Sequence, residues 1–265
     1  MHLHPRAAGA GIEFADFRSH SMGEDSRYLD WNAYLRLGRL FVKVYASEQN
    51  TRVYLLLDCS ASMDCEAGIE SKLLYAQRLA ATFAYLALLH LDTAVVVPFA
   101  EGIHTPFTAS GGRNRFWSVL QYLAQLKAGG RTDLGRSVRE FVQTFRTPGT
   151  VIVLSDLFDE EDCAAAVQML QSGGYDFVLV QVHSAEEQLP SIAGEFTLED
   201  VETGGRQRIT SSPEAALLHE RSFLDYSERL RQLALRYGGR YARAVTDVSY
   251  EEFVLQSLTA NRVVA

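Results

Sequence analysis

The sequence contains little cysteine, and its cysteines show no regular spacing. Three cysteines occur in 265 residues, and none of them forms a CxxC motif. Cysteines this few and this irregular exclude a disulfide framework. We therefore expect a reducing, cytoplasmic setting for this chain.

Basic runs and long apolar runs are also missing. Lys and Arg number 25 against 33 Asp and Glu, which gives a net charge of -8. Because phosphate neutralisation needs clustered Lys and Arg, this composition argues against a nucleic-acid partner and against an anionic membrane surface. The longest apolar stretch, residues 79–89, is about half the length needed to cross a bilayer. We expect neither a membrane span nor a signal peptide.

From residue 51 onward, apolar runs alternate with amphipathic stretches. The pattern predicts strands at residues 53–57, 93–99, 150–154, 177–182 and 240–245. It predicts helices at residues 71–91, 115–126, 134–145, 159–170, from 213 onward, and at 250–258. Residues 102–108 are expected to pair with the second strand, and residues 195–209 to form a hairpin. Strands that are apolar on both faces and alternate with helices predict an α/β fold, with a mostly parallel sheet covered on both faces.

The N-terminal segment has a different composition and no regular apolar pattern. Residues 1–48 carry polar and aromatic residues without a clear period. Their apolar and aromatic content exceeds what a solvated linker can carry. We therefore predict a segment of residues 1–48 that packs on a main domain of residues 49–265, near the edge of its sheet.

Hydroxyls and carboxylates follow two of the predicted strands, at the edge where α/β folds collect their ligands. The first strand runs directly into a D-x-S-x-S sequence that contains Asp58, Ser60 and Ser62, and a later strand is followed by Asp156. Between them, a glycine-rich turn carries Thr132. Oxygen ligands suit Mg²⁺, Mn²⁺ or Ca²⁺, and the absence of Cys and His from the set argues against zinc. Neutral hydroxyls would leave such an ion able to attract an acidic group from outside.

These residues carry a resemblance to a known family. The D-x-S-x-S loop, the Thr in the glycine-rich turn and the later Asp resemble the metal-ion-dependent adhesion site of von Willebrand factor A domains. Residues 11–14 (GIEF), 23–31 (GEDSRYLDW) and 42–44 (VKV), together with residues 154–156 (LSD), are similar to the bacterial domain-of-unknown-function family numbered 58. The resemblance implies a von Willebrand factor A-like, Rossmann-like fold with a mostly parallel central sheet and helices on both faces.

The resemblance also implies a site and a function. Ser60 and Ser62 would bind the ion directly, Thr132 directly or through water, and Asp58 and Asp156 largely through water, with Mg²⁺ as the first candidate and Mn²⁺ or Ca²⁺ as alternatives. Such a site leaves one position for an acidic residue of a protein partner. Members of the family are often associated with MoxR-type AAA+ ATPases in the assembly or activation of other proteins, so a non-catalytic interaction module is expected.

Three alternatives stay open at the level of the sequence. The D-x-S-x-S stretch also fits a turn or a helix cap, and either Thr132 or Asp133 can cap the following helix. An Asp at a strand end is also typical of phosphoaspartyl enzymes, so Asp58 could serve a Mg²⁺-dependent phosphoester hydrolase. Those enzymes commonly place a second acid two residues later, where this chain has Ser60, a poor proton-transfer group. One departure from many A domains is Leu157, where they have glycine.

Overall fold

The computed structural model describes residues 14–19, 41–45, 51–64, 70–190, 194–199 and 205–259. The strands in chain order are β1 (Phe14–Ser19), β2 (Phe41–Tyr45), β3 (Arg52–Asp58), β4 (Thr93–Phe99), β5 (Phe107–Ala109), β6 (Thr150–Ser155), β7 (Asp176–His183), β8 (Gly194–Glu199), β9 (Arg206–Ser211) and β10 (Arg240–Val245). The α-helices are α1 (Lys72–Leu89), α2 (Phe116–Leu123), α3 (Leu134–Thr144), α4 (Glu160–Ser172), α5 (Ala185–Gln188), α6 (Pro213–Arg236) and α7 (Tyr250–Thr259). The chain divides into two compact units, Met1–Asn50 and Thr51–Ala265.

The N-terminal unit contains an antiparallel pair, β1 with β2. The sequence pattern did not predict these strands. The register shifts between Phe14 and Asp16, and such a bulge breaks the period of two that identifies a strand. The other N-terminal residues used above lie outside the described residues, and the packing of residues 1–48 on the main domain stays a prediction.

The second unit is built on a six-stranded sheet in the order β10-β7-β6-β3-β4-β5. All neighbours in it are parallel except the edge strand β5, which runs antiparallel to β4. Of the predicted pairing segment, residues 102–108, Phe107 and Thr108 lie in β5, and Ile103 forms an isolated antiparallel bridge with Phe99 of β4. Each parallel connection passes through a helix, as parallel neighbours require. The predicted α/β class with a mostly parallel sheet is confirmed.

Helices cover both faces of this sheet and form two apolar cores. Successive residues of a strand point to opposite faces, so Leu55 and Leu57 of β3 pack with α1, α2 and α7, whereas Tyr54 and Leu56 pack with α3, α4 and α6. Residues 54–58 are all buried. This explains why β3 is apolar without alternation and why only its end can carry polar groups.

The helix ends follow local capping chemistry. Asp133 caps α3 and Asp159 caps α4, each by accepting a hydrogen bond from a backbone N–H in the first turn. The first-turn interpretation of the acids at 159–162 is thus confirmed. The short helix α5 was not predicted, although Ser184 and Glu187 form a capping box there. None of the described helices combines the length and the apolar character that crossing a membrane would require.

Candidate metal centre

The centre begins where β3 ends, at Asp58. The pairing of Leu57 with Leu154 places the next residues of β3 and β6 side by side. Ser155 Oγ accordingly donates a hydrogen bond of 2.6 Å to Asp58 Oδ2, while the Ser60 N–H donates one of 2.9 Å to Asp58 Oδ1. The Asp58 side chain is fully buried, so both of its oxygens are held by the protein and not by solvent.

A chain of hydroxyls joins the serine loop to the second acid. Ser62 Oγ donates to Asp156 Oδ2 over 2.8 Å, and Ser60 Oγ lies 3.0 Å from Ser62 Oγ. A serine hydroxyl has one proton to donate, so Ser60 is the donor to Ser62. The structure thus brings together four of the five predicted ligand residues.

The fifth residue, Thr132, lies in a loop that is tied to the serine loop through backbone groups. The Gly129 N–H donates to the Cys59 carbonyl over 2.8 Å, and the Ala61 N–H donates to the Gly130 carbonyl over 3.0 Å. Gly130 has φ 82, a conformation that glycine adopts without steric cost. Asp133 and not Thr132 caps the helix, and Thr132 is partly buried. Its role as a metal ligand stays a prediction.

Cys59, inside the same loop, points into the protein. Its side chain is 1% exposed and packs in the core on the α1 face. Burial, and then the neighbouring Asp58 carboxylate, raise the pKa of the Cys59 thiol to about 12. The prediction that it packs as a small apolar residue is confirmed.

Leu157 takes the backbone conformation that glycine favours. Its φ is 55, in the left-handed region, although its side chain is only 2% exposed. The Leu157 N–H donates to Ser155 Oγ over 3.2 Å, and the Tyr226 hydroxyl donates to the Leu157 carbonyl. The turn after Asp156 therefore keeps its shape without glycine.

Two charged residues of the centre were not predicted from the sequence. Lys72 Nζ lies 2.9 Å from Asp156 Oδ2 and 2.7 Å from Glu187 Oε1. The Lys72 side chain is 2% exposed. A lysine at the start of a helix is ordinarily solvated, so its sequence position gives no signal; the capping-box spacing of Ser184 and Glu187 indicates a helix start and nothing more.

The charges of the centre are unevenly balanced. Burial, and then repulsion by Asp156, raise the pKa of Asp58 to about 7, against the lowering effect of its hydrogen bonds from Ser155 and Ser60. Burial would lower the pKa of Lys72, but Asp156 and Glu187 raise it above its ordinary value. Within the described part of the chain, the single positive charge of Lys72 is shared between Asp156 and Glu187, and no Lys or Arg pairs with Asp58. Positive charge is therefore lacking next to Asp58.

The donor set fits a small, hard cation. Neighbouring ligands of an octahedral Mg²⁺ with bonds of about 2.1 Å lie about 3 Å apart. The hydroxyls of Ser60 and Ser62, the two residues that would bind the ion directly, are 3.0 Å apart. Among the described residues, no group of three or more His, Cys, Asp or Glu side chains is placed to hold a metal. A site at this position would depend on hydroxyls, and the metal site itself stays a prediction.

One known protein family matches most of the chain. A family model described as "Protein of unknown function DUF58" matches residues 16–220. The chain belongs to the DUF58 family. Its mostly parallel sheet with helices on both faces is the α/β architecture predicted from the sequence.

Individual relatives are distant. Uncharacterized proteins of Mycobacterium bovis and Mycobacterium tuberculosis are each 23% identical to this DUF58 chain over 210 residues, and the match covers 77% of the chain and 65% of their own length. The chain thus spans less than two thirds of those relatives.

Two solved structures align over most of this chain. The protein BatB from Bacteroides thetaiotaomicron has a TM-score of 0.50 and 18% identity, covering 79% of this chain and 98% of that one. The SpRpn10 VWA domain has a TM-score of 0.43 and 13% identity, covering 81% of this chain and 99% of that one.

Proposed function

We propose that this DUF58 chain is a non-catalytic, metal-dependent protein-interaction module. The observation that carries the proposal is the hydrogen-bonded cluster of Asp58, Ser60, Ser62 and Asp156 at the carboxyl edge of the sheet. Asp58, Ser60 and Asp156 are buried, Ser62 is partly buried, and positive charge is lacking next to Asp58. A divalent cation is the group that such a donor set suits.

Each residue has a distinct part in this proposal. Ser60 and Ser62 would offer hydroxyl oxygens to the ion directly, with Thr132 beside them. Asp58 and Asp156 would supply the negative charge, largely through water. A bound Mg²⁺ would supply a positive charge that these acids only partly offset, since Asp156 is already paired with Lys72, and an outside carboxylate could bind to it. The serine loop and the loop at 129–133, held together by backbone hydrogen bonds, would keep the ligands in place.

An acidic residue of a partner protein fits this site best. The net charge of -8 does not oppose such binding, because salt screens exposed charges beyond about 10 Å while the ion acts at contact distance. From the family resemblance, a MoxR-type AAA+ ATPase is the first partner to test, and assembly or activation of other proteins is the process. A cytoplasmic location remains a prediction.

The alternative, a phosphoester hydrolase that uses Asp58, gains no support from the geometry. A nucleophilic carboxylate must present an oxygen to the substrate, whereas Asp58 is fully buried and both of its oxygens accept hydrogen bonds. The residue two positions later is a serine whose hydroxyl faces Ser62. We therefore propose binding and not catalysis.

Metal binding is tested by thermal unfolding with Mg²⁺ and with EDTA. An ion that binds only the folded state at a concentration of 100 times its Kd stabilises the protein by about 2.7 kcal/mol. We expect the melting temperature to rise with Mg²⁺ in the wild type and not in the double variant Ser60→Ala with Ser62→Ala. Ser222→Ala, which removes an exposed hydroxyl on α6, is the matched control and should keep the rise. An equal rise in the double variant would contradict the assignment.

Partner binding is tested by calorimetry with the ATPase in Mg²⁺ and in EDTA. Asp58→Ala and Thr132→Ala should weaken binding while the circular dichroism spectrum stays unchanged. Glu101→Ala, at an exposed position after β4, should have little effect. If chelation left the affinity intact, the interaction would use another face of the domain.

A further inference from the structure

Lys72 stands where a lysine is least favoured. It is the first residue of α1, directly after the cap Ser71, and its side chain is 2% exposed. The N-terminal end of a helix carries partial positive charge, which repels a cation. Burial of the ammonium group adds a desolvation cost. A charge held there against both effects needs compensation from specific neighbours.

The neighbours of Lys72 belong to two different elements of the centre. Asp156 follows β6 and is 3% exposed, and Glu187 lies on α5. The second oxygen of Glu187 accepts a hydrogen bond of 2.9 Å from the Ser184 N–H, so the capping box orients the first oxygen toward Lys72. The half-exposed ring of Phe158 covers the ammonium at 5.2 Å. Lys72 thus has one partner inside the proposed metal centre and one outside it.

We infer that the Lys72 ammonium is a cation built into the chain that neutralises Asp156 and competes with a divalent ion for this carboxylate. The inference rests on the proposed function, since it concerns the same site. Asp156 Oδ2 receives both Ser62 Oγ and Lys72 Nζ, so an ion drawn to Asp156 must approach a positive charge already in contact with it. Glu187 gives Lys72 a second carboxylate with which to form an ion pair. The lysine therefore sets how tightly the centre holds an ion.

The first test measures Mg²⁺ binding to the full chain by calorimetry in Lys72→Met. Removing a like charge a few ångströms from the ion should tighten binding roughly tenfold or more. In EDTA the melting temperature of this variant should be lower than that of the wild type. Saturating Mg²⁺ should reduce this difference in melting temperature. Arg146→Met removes a positive charge from an exposed position between α3 and β6, at the opposite edge of the sheet, and should leave the affinity unchanged. Equal or weaker binding in Lys72→Met overturns the inference.

The second test uses Glu187→Gln, which leaves the Lys72–Asp156 pair intact. Glutamine can replace glutamate in a capping box, so α5 should keep its cap. Without the Glu187 carboxylate, Lys72 should pair with Asp156 alone, and the affinity for Mg²⁺ should fall several-fold. In the Lys72→Met background the same substitution should have a much smaller effect, which a double-mutant cycle measures. If Lys72→Met does not fold, Glu187→Gln still decides, because unchanged or tighter binding there overturns the inference.

The two proposals fail in different ways. If the wild type binds Mg²⁺ and Lys72→Met binds it no more tightly, the competing role of the lysine is wrong and the metal centre stands. Absence of Mg²⁺ binding from the wild type and from Lys72→Met alike overturns the proposed function, and the role of Lys72 falls with it.

Discussion

At position 157 a leucine holds a backbone conformation that costs a residue with a side chain about 1 kcal/mol. The side chain of Leu157 is buried in the core on the α3 and α4 face, and that burial offsets the backbone cost. A glycine would relax the backbone but would leave the buried space empty. The choice of residue here is decided by packing, because burying a leucine contributes more than the conformation costs.

This balance between burial and backbone conformation predicts which of two variants at position 157 is the more stable. Leu157→Ala should lower the free energy of unfolding by about 3 kcal/mol, since it loses the buried side chain and keeps a Cβ at positive φ. Leu157→Gly should be about 1 kcal/mol more stable than Leu157→Ala, although glycine is ordinarily the less stabilising of the two. Urea unfolding of both variants measures the difference. A glycine variant less stable than the alanine variant would show that the backbone at this turn carries no strain.

At the scale of elements, the start of α3 connects the cap to the candidate metal centre. Asp133 Oδ1 accepts a hydrogen bond of 2.7 Å from the Arg136 N–H, and the Asp133 N–H donates to the Ala100 carbonyl. One residue therefore fixes both the start of the helix and the end of the loop that carries Thr132. Asp133 also repels a neighbouring carboxylate. The pKa of Asp162 is raised first by burial and then by the charges of Asp159, Asp133 and Glu161.

Two substitutions at this cap separate its hydrogen bond from its charge. Asn keeps the acceptor and removes the charge, whereas Ala removes both. We expect Asp133→Ala to be about 1 kcal/mol less stable than Asp133→Asn in urea unfolding, with the same dependence on denaturant concentration. Equal stability of the two variants would mean that α3 does not need this cap.

At the scale of the whole molecule, the chain comprises two units of unequal size, Met1–Asn50 and Thr51–Ala265. In the smaller unit, the described residues 14–19 and 41–45 form an antiparallel pair, β1 with β2. Two strands alone are marginally stable in water and need further packing. This requirement agrees with the apolar and aromatic content of the segment.

We predict that residues 1–48 fold with the rest of the chain and are not a removable tail. Limited proteolysis of the full chain, followed by mass spectrometry, should give no early cleavage that releases this segment cleanly. Any core that lacks it should unfold at a lower urea concentration than the intact protein. Clean release of the segment that leaves a core of undiminished stability would contradict the prediction.

Sequence patterns were sufficient to predict the fold class, the order of most elements, and the strand ends that carry Asp58 and Asp156. These features follow from local patterns, because apolar runs identify buried strands and the carboxyl ends of parallel strands meet at one edge. The sequence also indicated that Cys59 packs inward. It missed β1 and β2, where a bulge interrupts the period, and the short helix α5.

Tertiary structure alone decided which side chains meet at that edge. Ser155 reaches Asp58 across 97 residues of sequence, and Lys72 reaches Asp156 and Glu187 across 84 and 115 residues. The first contact depends on the register between β3 and β6, and the others on how α1 and α5 pack at the end of the sheet. No local pattern encodes a register or a packing position, since both are set by the fit of distant surfaces. The sequence marked Leu157 as a departure from glycine, but only the structure showed that this leucine is buried and has a left-handed backbone conformation.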